Sequence, residues 1–244
     1  MILVGLTHVG NVRSTNEDSV LLHTRPPYFM LVADGMGGHA AGEVASSVAA
    51  RAVEEYLTAL QTEALDADEL VDAVQYANTC IMKEIAQHPE YAGMGTTITL
   101  AYLQPDFVTV AHVGDSRAYL RRKGTLHKIT KDHTYVQRLI DSGELKYTAA
   151  ARFPFRNIIT RALGMSDLQV DLYREPWSAG DSVLLCSDGL TAYADAPHLL
   201  DELSSDRLAA AQAQRLLDYA LQQGGRDNVS VVIAQNDPDG EAAE

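Results

Sequence analysis

Tyr28-Phe29-Met30-Leu31-Val32-Ala33-Asp34-Gly35-Met36-Gly37-Gly38-His39-Ala40-Ala41-Gly42 is the stretch on which the fold turns. Its first six residues are short, apolar and aromatic or branched in flavour, which reads as a strand. Gly35–Ala40 then matches the loose dinucleotide-binding pattern, placed after a strand and before a helix. Glu54 and Glu55 even lie near the ribose-binding distance. A dinucleotide site, however, needs a second parallel strand after that helix. Here a helical stripe of Val44, Val48, Val53, Leu57 and Leu60 is followed by another, Leu70, Val74, Ala77, Ile81 and Ile85. Asp66 opens the second stripe with Glu69 three residues on, a capping-box pattern. Two helices in succession make an αα-hairpin, not the strict alternation of a doubly wound sheet. Asp34 would also repel a pyrophosphate unless a metal intervened.

Strands are expected outward from this point at Thr97–Leu103, Phe107–Val113, Ala118–Arg121, Ser182–Cys186 and Val229–Ala234. Gln104-Pro105-Asp106 turns the first two into a hairpin, and Lys123-Gly124 makes another turn. A third helix carries Leu208, Leu216, Ala220 and Leu221 and stops at Gly224-Gly225. The opening Met1-Ile2-Leu3-Val4-Gly5-Leu6-Thr7 lacks a basic n-region and a cleavage site, so it reads as a first strand, not a signal peptide. Hairpin strands with paired helices imply an α+β fold, helices packed on antiparallel sheets. Residues 1–235 are expected to form a single domain and 236–244 a frayed acidic tail.

The chain has 244 residues, 46% of them hydrophobic, and a net charge of −14 from 19 basic and 33 acidic residues. A surface this acidic repels phosphate backbones and argues against a nucleic-acid partner. No apolar run reaches the ~18 residues that cross a bilayer, so no membrane insertion is expected. Cys80 and Cys186 form no CxxC pair and read as thiols of a reducing, cytoplasmic compartment.

Most of the acids solvate the surface, but four recur in one setting. Asp34, Asp115, Asp188 and Asp227 each sit at a strand end beside or near glycine, at Asp34-Gly35, Gly114-Asp115, Asp188-Gly189 and Gly225-Arg226-Asp227. Glycine permits tight turns and close backbone approach, and strand ends aim side chains rigidly. The pattern admits two readings: a set of ordinary turns, or an oxygen-only site for Mg²⁺ or Mn²⁺. Other motifs fail. Gly37–Gly42 has P-loop spacing, but Glu43 stands where lysine is required. No HExxH or EF-hand loop occurs, and Ser187 lacks the Gly-x-Ser-x-Gly of a hydrolase elbow.

Six segments in order then carry a resemblance. They are Arg13-Ser14-Thr15-Asn16-Glu17-Asp18, Val32-Ala33-Asp34-Gly35-Met36-Gly37-Gly38-His39, Met94-Gly95-Thr96-Thr97, Val113-Gly114-Asp115-Ser116-Arg117, Cys186-Ser187-Asp188-Gly189-Leu190-Thr191 and Gly225-Arg226-Asp227-Asn228-Val229. Together they resemble the metal-dependent protein phosphatase family (PPM, or protein phosphatase 2C) in its compact bacterial form, from Gly5 to Ile233.

The resemblance implies two packed antiparallel sheets flanked by antiparallel helices, an α-β-β-α sandwich, with a small flap at 132–163. It implies hydrolysis of phosphoserine and phosphothreonine in proteins by a metal-bridging water or hydroxide, opposite a cognate serine/threonine kinase. Two core Mn²⁺ or Mg²⁺ ions and a weaker third are implied. Asp34 would bridge the core pair, the Gly35 carbonyl would ligate one of them, and Asp188 and Asp227 the other. Asp115 with Asp188 would hold the third. Glu17 and Asp18 would act mostly through waters on the ions, Asn228 would support the ligands, and Arg13 would hold the substrate phosphate. Two metals about 3.5–4 Å apart lower a water's pKa and clamp a phosphate, and a guanidinium donates two parallel hydrogen bonds to it. Eukaryotic relatives often carry a histidine straight after the Asp-Gly as general acid. Met36 stands there here, which leaves His39 as a possible substitute. Flap relatives often have His-Pro where this chain has Phe153-Pro154.

Overall fold

A computed structural model describes residues 1–37, 41–150, 153–155 and 158–237. The strand quoted above outlasts its apolar part. It runs from Tyr28 to Met36 and includes Asp34 and Gly35, where a strand end was expected. Pairing explains the extension: Asp34 opposes Asp18, while Gly35 and Met36 oppose Thr96 and Gly95. His39 lies outside the described residues, as does 238–244 of the expected tail. Of that tail, Asn236 is instead buried, and its side chain donates to the Pro105 carbonyl at 3.1 Å.

The strands are β1 (Ile2–His8), β2 (Asp18–His23), β3 (Tyr28–Met36), β4 (Gly95–Thr96), β5 (Ile98–Leu103), β6 (Phe107–Val113), β7 (Arg117–Arg122), β8 (Thr125–Lys128), β9 (Asp171–Pro176), β10 (Ser182–Cys186) and β11 (Val229–Gln235). They form two antiparallel sheets, ordered β1-β11-β10-β7-β8 and β2-β3-β5-β6-β9, with β4 beside β3. The hairpin at Gln104 forms as expected, with Ile98 opposite Val113. At the β7–β8 turn, Lys123 and Gly124 both take positive φ, 50° and 75°, the pairing of a two-residue hairpin turn whose twist matches the strands.

Alternation along the strands makes the layers. Met30 and Val32 of β3 face Val183 and Leu185 of β10 and Val232 of β11 between the sheets. Phe29, Leu31 and Ala33 point the other way, onto α1 (Ala41–Ala59) and α2 (Ala67–Gln87). On the opposite outer face, Leu184, Cys186, Val231 and Ile233 meet Leu199 of α6 (Ala196–Leu203) and Leu216 of α7 (Ala209–Gln222). The sandwich is therefore helix, sheet, sheet, helix. Strands buried on both faces read as continuous apolar runs, which is why β3, β5 and β10 are plain in the sequence. Edge strands β8 and β9 alternate in burial and carry charges, so they leave a weaker signal.

Between β8 and β9 the chain leaves the sheets. Residues 132–163 hold the short helices α3 (Tyr135–Asp141) and α4 (Tyr147–Ala150). Isolated bridges close the base, Thr134 with Ile159 and Thr96 with Leu163. The short helix α5 (Asp188–Thr191) directly follows β10. Among the described residues no helix is long and apolar enough to cross a membrane.

Candidate active site

Strand register puts the first two acids together. Asp18 begins β2 and lies directly opposite Asp34 in β3, and opposed residues of an antiparallel pair share a face. Asp188 follows β10 and Asp227 precedes β11, neighbours in the other sheet. Asp115 lies in the turn where the chain passes from β6 in one sheet to β7 in the other. Five carboxylates from distant segments thus gather where the two sheets meet. Asp18 and Asp115 are buried, whereas Asp34, Asp188 and Asp227 keep partial exposure, so one side of the group opens to solvent.

The electrostatics record this crowding. Burial pushes Asp18 up to about 7, aided by the charges of Asp188 and Asp227 and opposed by hydrogen bonds from Ser230 and Ser187. Burial, then the charges of Asp18, Asp188, Asp115 and Asp227, hold Asp34 well above the ordinary carboxylate value. Asp115 rises to about 7 by burial and the charge of Asp188, and Asp188 to about 6 by burial and the charge of Asp227. Arg117 offsets both in part.

A polar framework fixes the geometry. The Ser187 and Ser230 hydroxyls both lie on Asp18 Oδ2, at 2.8 and 2.7 Å, and so tie β2 to the opposite sheet. Thr97 Oγ1 accepts the Asp34 N–H at 2.9 Å and contacts Ser116 Oγ at 2.8 Å. Asn228 is the tie of the N-terminal loop. Its Oδ1 accepts the Glu17 N–H at 2.8 Å, and its Nδ2 donates to the carbonyls of Val9 and Thr15 at 2.8 and 2.9 Å. Two glycines are required by close approach. A Cβ on Gly35 would collide with the Gly42 carbonyl, and one on Gly189 with the Asn228 carbonyl.

Arg13 stands exposed at the open side, its Nη2 3.0 Å from Asp227 Oδ2. Glu17 is partly buried nearby, and burial raises its carboxyl above the ordinary range. The sequence dismisses Ser187 as a nucleophile and gives no role to Ser230 or Thr97. Ser187 and Thr97 fall inside quoted motifs, but their neighbours across the sheets are invisible there.

The donor set fits a hard divalent cation. Every side chain offered is oxygen, as Mg²⁺ and Mn²⁺ prefer. Asp18 Oδ1 is buried without a hydrogen-bond partner among the described residues, and buried polar atoms ordinarily have one. A cation among these carboxylates would relieve the repulsion that raises their pKa values. Among the described residues no group of three or more histidine, cysteine, aspartate or glutamate side chains is placed, as it stands, to hold a metal ion.

Comparison with known proteins agrees in extent and kind. A protein-family model described as Protein phosphatase 2C matches residues 5–227. The chain is 41% identical over 233 residues to the serine/threonine protein phosphatase PstP of Mycobacterium tuberculosis, covering 92% of this chain and 43% of that protein. It is 36% identical over 238 residues to the serine/threonine phosphatase stp of Listeria monocytogenes, covering 95% of this chain and 94% of the relative. A crystal structure of the catalytic domain of PstP in complex with two manganese ions superposes with a TM-score of 0.83 at 38% identity, covering 96% of this chain and 97% of that one. The chain thus spans less than half of the full mycobacterial relative and nearly all of the listerial one.

Proposed function

Because the chain belongs to the protein phosphatase 2C family, we propose that it is a metal-dependent protein serine/threonine phosphatase. One observation carries the reading: five carboxylates from both sheets face one another, with Asp18 Oδ1 unpartnered among the described residues and Arg13 at the open side.

Asp34, the Gly35 carbonyl, Asp188 and Asp227 would hold two Mn²⁺ or Mg²⁺ ions, and Asp115 with Asp188 a weaker third. When bound, such ions lower the pKa of a shared water and clamp the phosphate. The protein's own residues do the remaining work. Asp18 and Glu17 would act mostly through waters on the ions. Asn228 holds the Arg13–Glu17 loop against β11, so Arg13 reaches the substrate from a fixed base. Arg13 releases Asp227 and donates to the phosphate oxygens, where a planar guanidinium matches two acceptors. Segment 132–163 acts as a flap, offering Tyr147 and Phe155 at its exposed surface to phosphoserine or phosphothreonine proteins. A serine/threonine kinase is the fitting counterpart, and the cytoplasm the fitting compartment.

The test is metal removal. Metal-stripped protein should not hydrolyse a phosphothreonine peptide until Mn²⁺ or Mg²⁺ returns. Full turnover with no residual metal detected would overturn the reading.

A further inference from the structure

Gly114 precedes Asp115 and holds a φ of +111°, a conformation side chains rarely adopt. Thr97 fills the place a Cβ would need. Both polar atoms of Gly114 are taken by a single residue, His133. The Gly114 N–H donates to His133 Nδ1 at 3.1 Å, and the Gly114 carbonyl accepts the His133 N–H at 2.7 Å. Since Nδ1 accepts, the ring proton belongs on Nε2. Nε2 faces Asp171 Oδ2 at 3.1 Å, at the first residue of β9. Asp171 Oδ1 accepts from Arg161 Nη1 at 2.7 Å. The His133 carbonyl accepts the Thr160 N–H at 2.8 Å, and the His112 ring packs against the imidazole with centroids 4.9 Å apart. His133 is thus a buried junction of three parts: the turn before Asp115, the start of β9, and the returning limb of segment 132–163.

We propose that His133 is a positioning residue for Asp115, fixing the Gly114–Asp115 turn through Nδ1 and coupling it through Nε2 and Asp171 to segment 132–163. The inference rests on the role proposed above for Asp115, holding a weaker third ion with Asp188, and takes that ion to contribute to turnover. It adds a route by which protein substrate on that segment reaches the carboxylates: a shift of Arg161 or Asp171 turns the imidazole, and the imidazole carries Gly114. A carboxylate displaced by about 1 Å can cost on the order of a hundredfold in rate, so a one-residue clamp has leverage.

Two substitutions separate the two ends of the ring. In His133→Asn the amide oxygen takes the place of Nδ1, keeping the Gly114 contact and losing Asp171. In His133→Gln the amide nitrogen takes the place of Nε2, keeping Asp171 and losing Gly114. The metal-free proteins are first compared by NMR amide exchange. Gly114 should exchange faster in His133→Gln and remain protected in His133→Asn, with the core amide of Val232 unchanged in both. In the Mn²⁺-loaded enzyme, His133→Gln should lose on the order of tenfold to a hundredfold in kcat on a phosphothreonine peptide, at unchanged KM, and His133→Asn should retain most of it. Coupling through Asp115 further requires that His133→Gln cost nothing more in an Asp115→Ala background, since residues acting as one unit are not additive. Equal losses in both His133 variants, additive losses with Asp115→Ala, or an unchanged Gly114 exchange rate in His133→Gln would each overturn the inference. An unchanged kcat in His133→Gln beside a defective Asp115→Ala overturns this inference alone. An Asp115→Ala enzyme of normal kcat overturns the role of Asp115 and the inference with it.

Discussion

At Asp18, Oδ2 receives two serine hydroxyls from the opposite sheet while Oδ1 receives no hydrogen bond among the described residues. The motif suggested a residue acting through water; the fold makes it one of the most deeply buried acids of the site. Its folded pKa of about 7 against an ordinary 3.8 has a stability consequence. Between those values the folded state binds more protons than the unfolded one, so this group's contribution is present below about pH 4 and is lost as pH rises through about 7. Asp18→Asn removes it. In chelator, the melting temperature of Asp18→Asn should therefore gain on wild type as pH rises from about 4 to about 7. Added Mn²⁺ at pH 7 should raise the melting temperature of both proteins, because Asp18→Asn keeps the carboxylates that would hold the ions. A difference that stays flat with pH would show that Asp18 titrates normally.

Elements differ in how much of their stability is local. Helix α2 begins where its capping box begins: Asp66 Oδ1 accepts the Glu69 N–H at 2.9 Å, and Glu69 Oε2 accepts the Asp66 N–H at 2.7 Å. That boundary is legible because both partners lie within one turn of sequence. Asp66→Ala should cost about 1 kcal/mol, seen as roughly 2–4 °C in melting temperature for a chain of this size. It should leave kcat and KM unchanged, because α2 carries none of the carboxylates. A loss of activity without a loss of stability would mean that α2 reports to the site. Strand β3 behaves in the opposite way. Its polar end, Asp34-Gly35-Met36, is strand only because β2 and β4 pair with it; β2 precedes it in the chain, but β4 arrives only after both helices of the αα-hairpin.

For the molecule as a whole, the carboxylates belong to both sheets. Asp18 and Asp34 stand on one, Asp188 and Asp227 flank strands of the other, and Asp115 lies on the connection between them. A cation bound among them joins the two halves of the sandwich across their shared apolar layer. At about a hundredfold over its dissociation constant it should stabilise the fold by about 2.7 kcal/mol, or roughly 5–10 °C. Hydrogen exchange should slow together in Asp18–His23 and in Val229–Gln235. Slowing confined to one sheet would place the ions on that sheet's carboxylates alone.

Apolar period, capping and turn chemistry act between residues close in sequence, so the chain alone determined the α+β class, the αα-hairpin, the buried central strands and the hairpin at Gln104. Asp34, Asp115, Asp188 and Asp227 could be named from their glycine-flanked settings, and Arg13 from its motif. Tertiary structure alone decided that Asp18 lies opposite Asp34, that Ser187 and Ser230 serve it, that Arg13 pairs with Asp227, and that His133 holds Gly114. Each of those contacts joins segments that meet only when the sheets pair and pack. Sheet pairing and packing are set by burial summed over the whole core, which no local window of sequence contains.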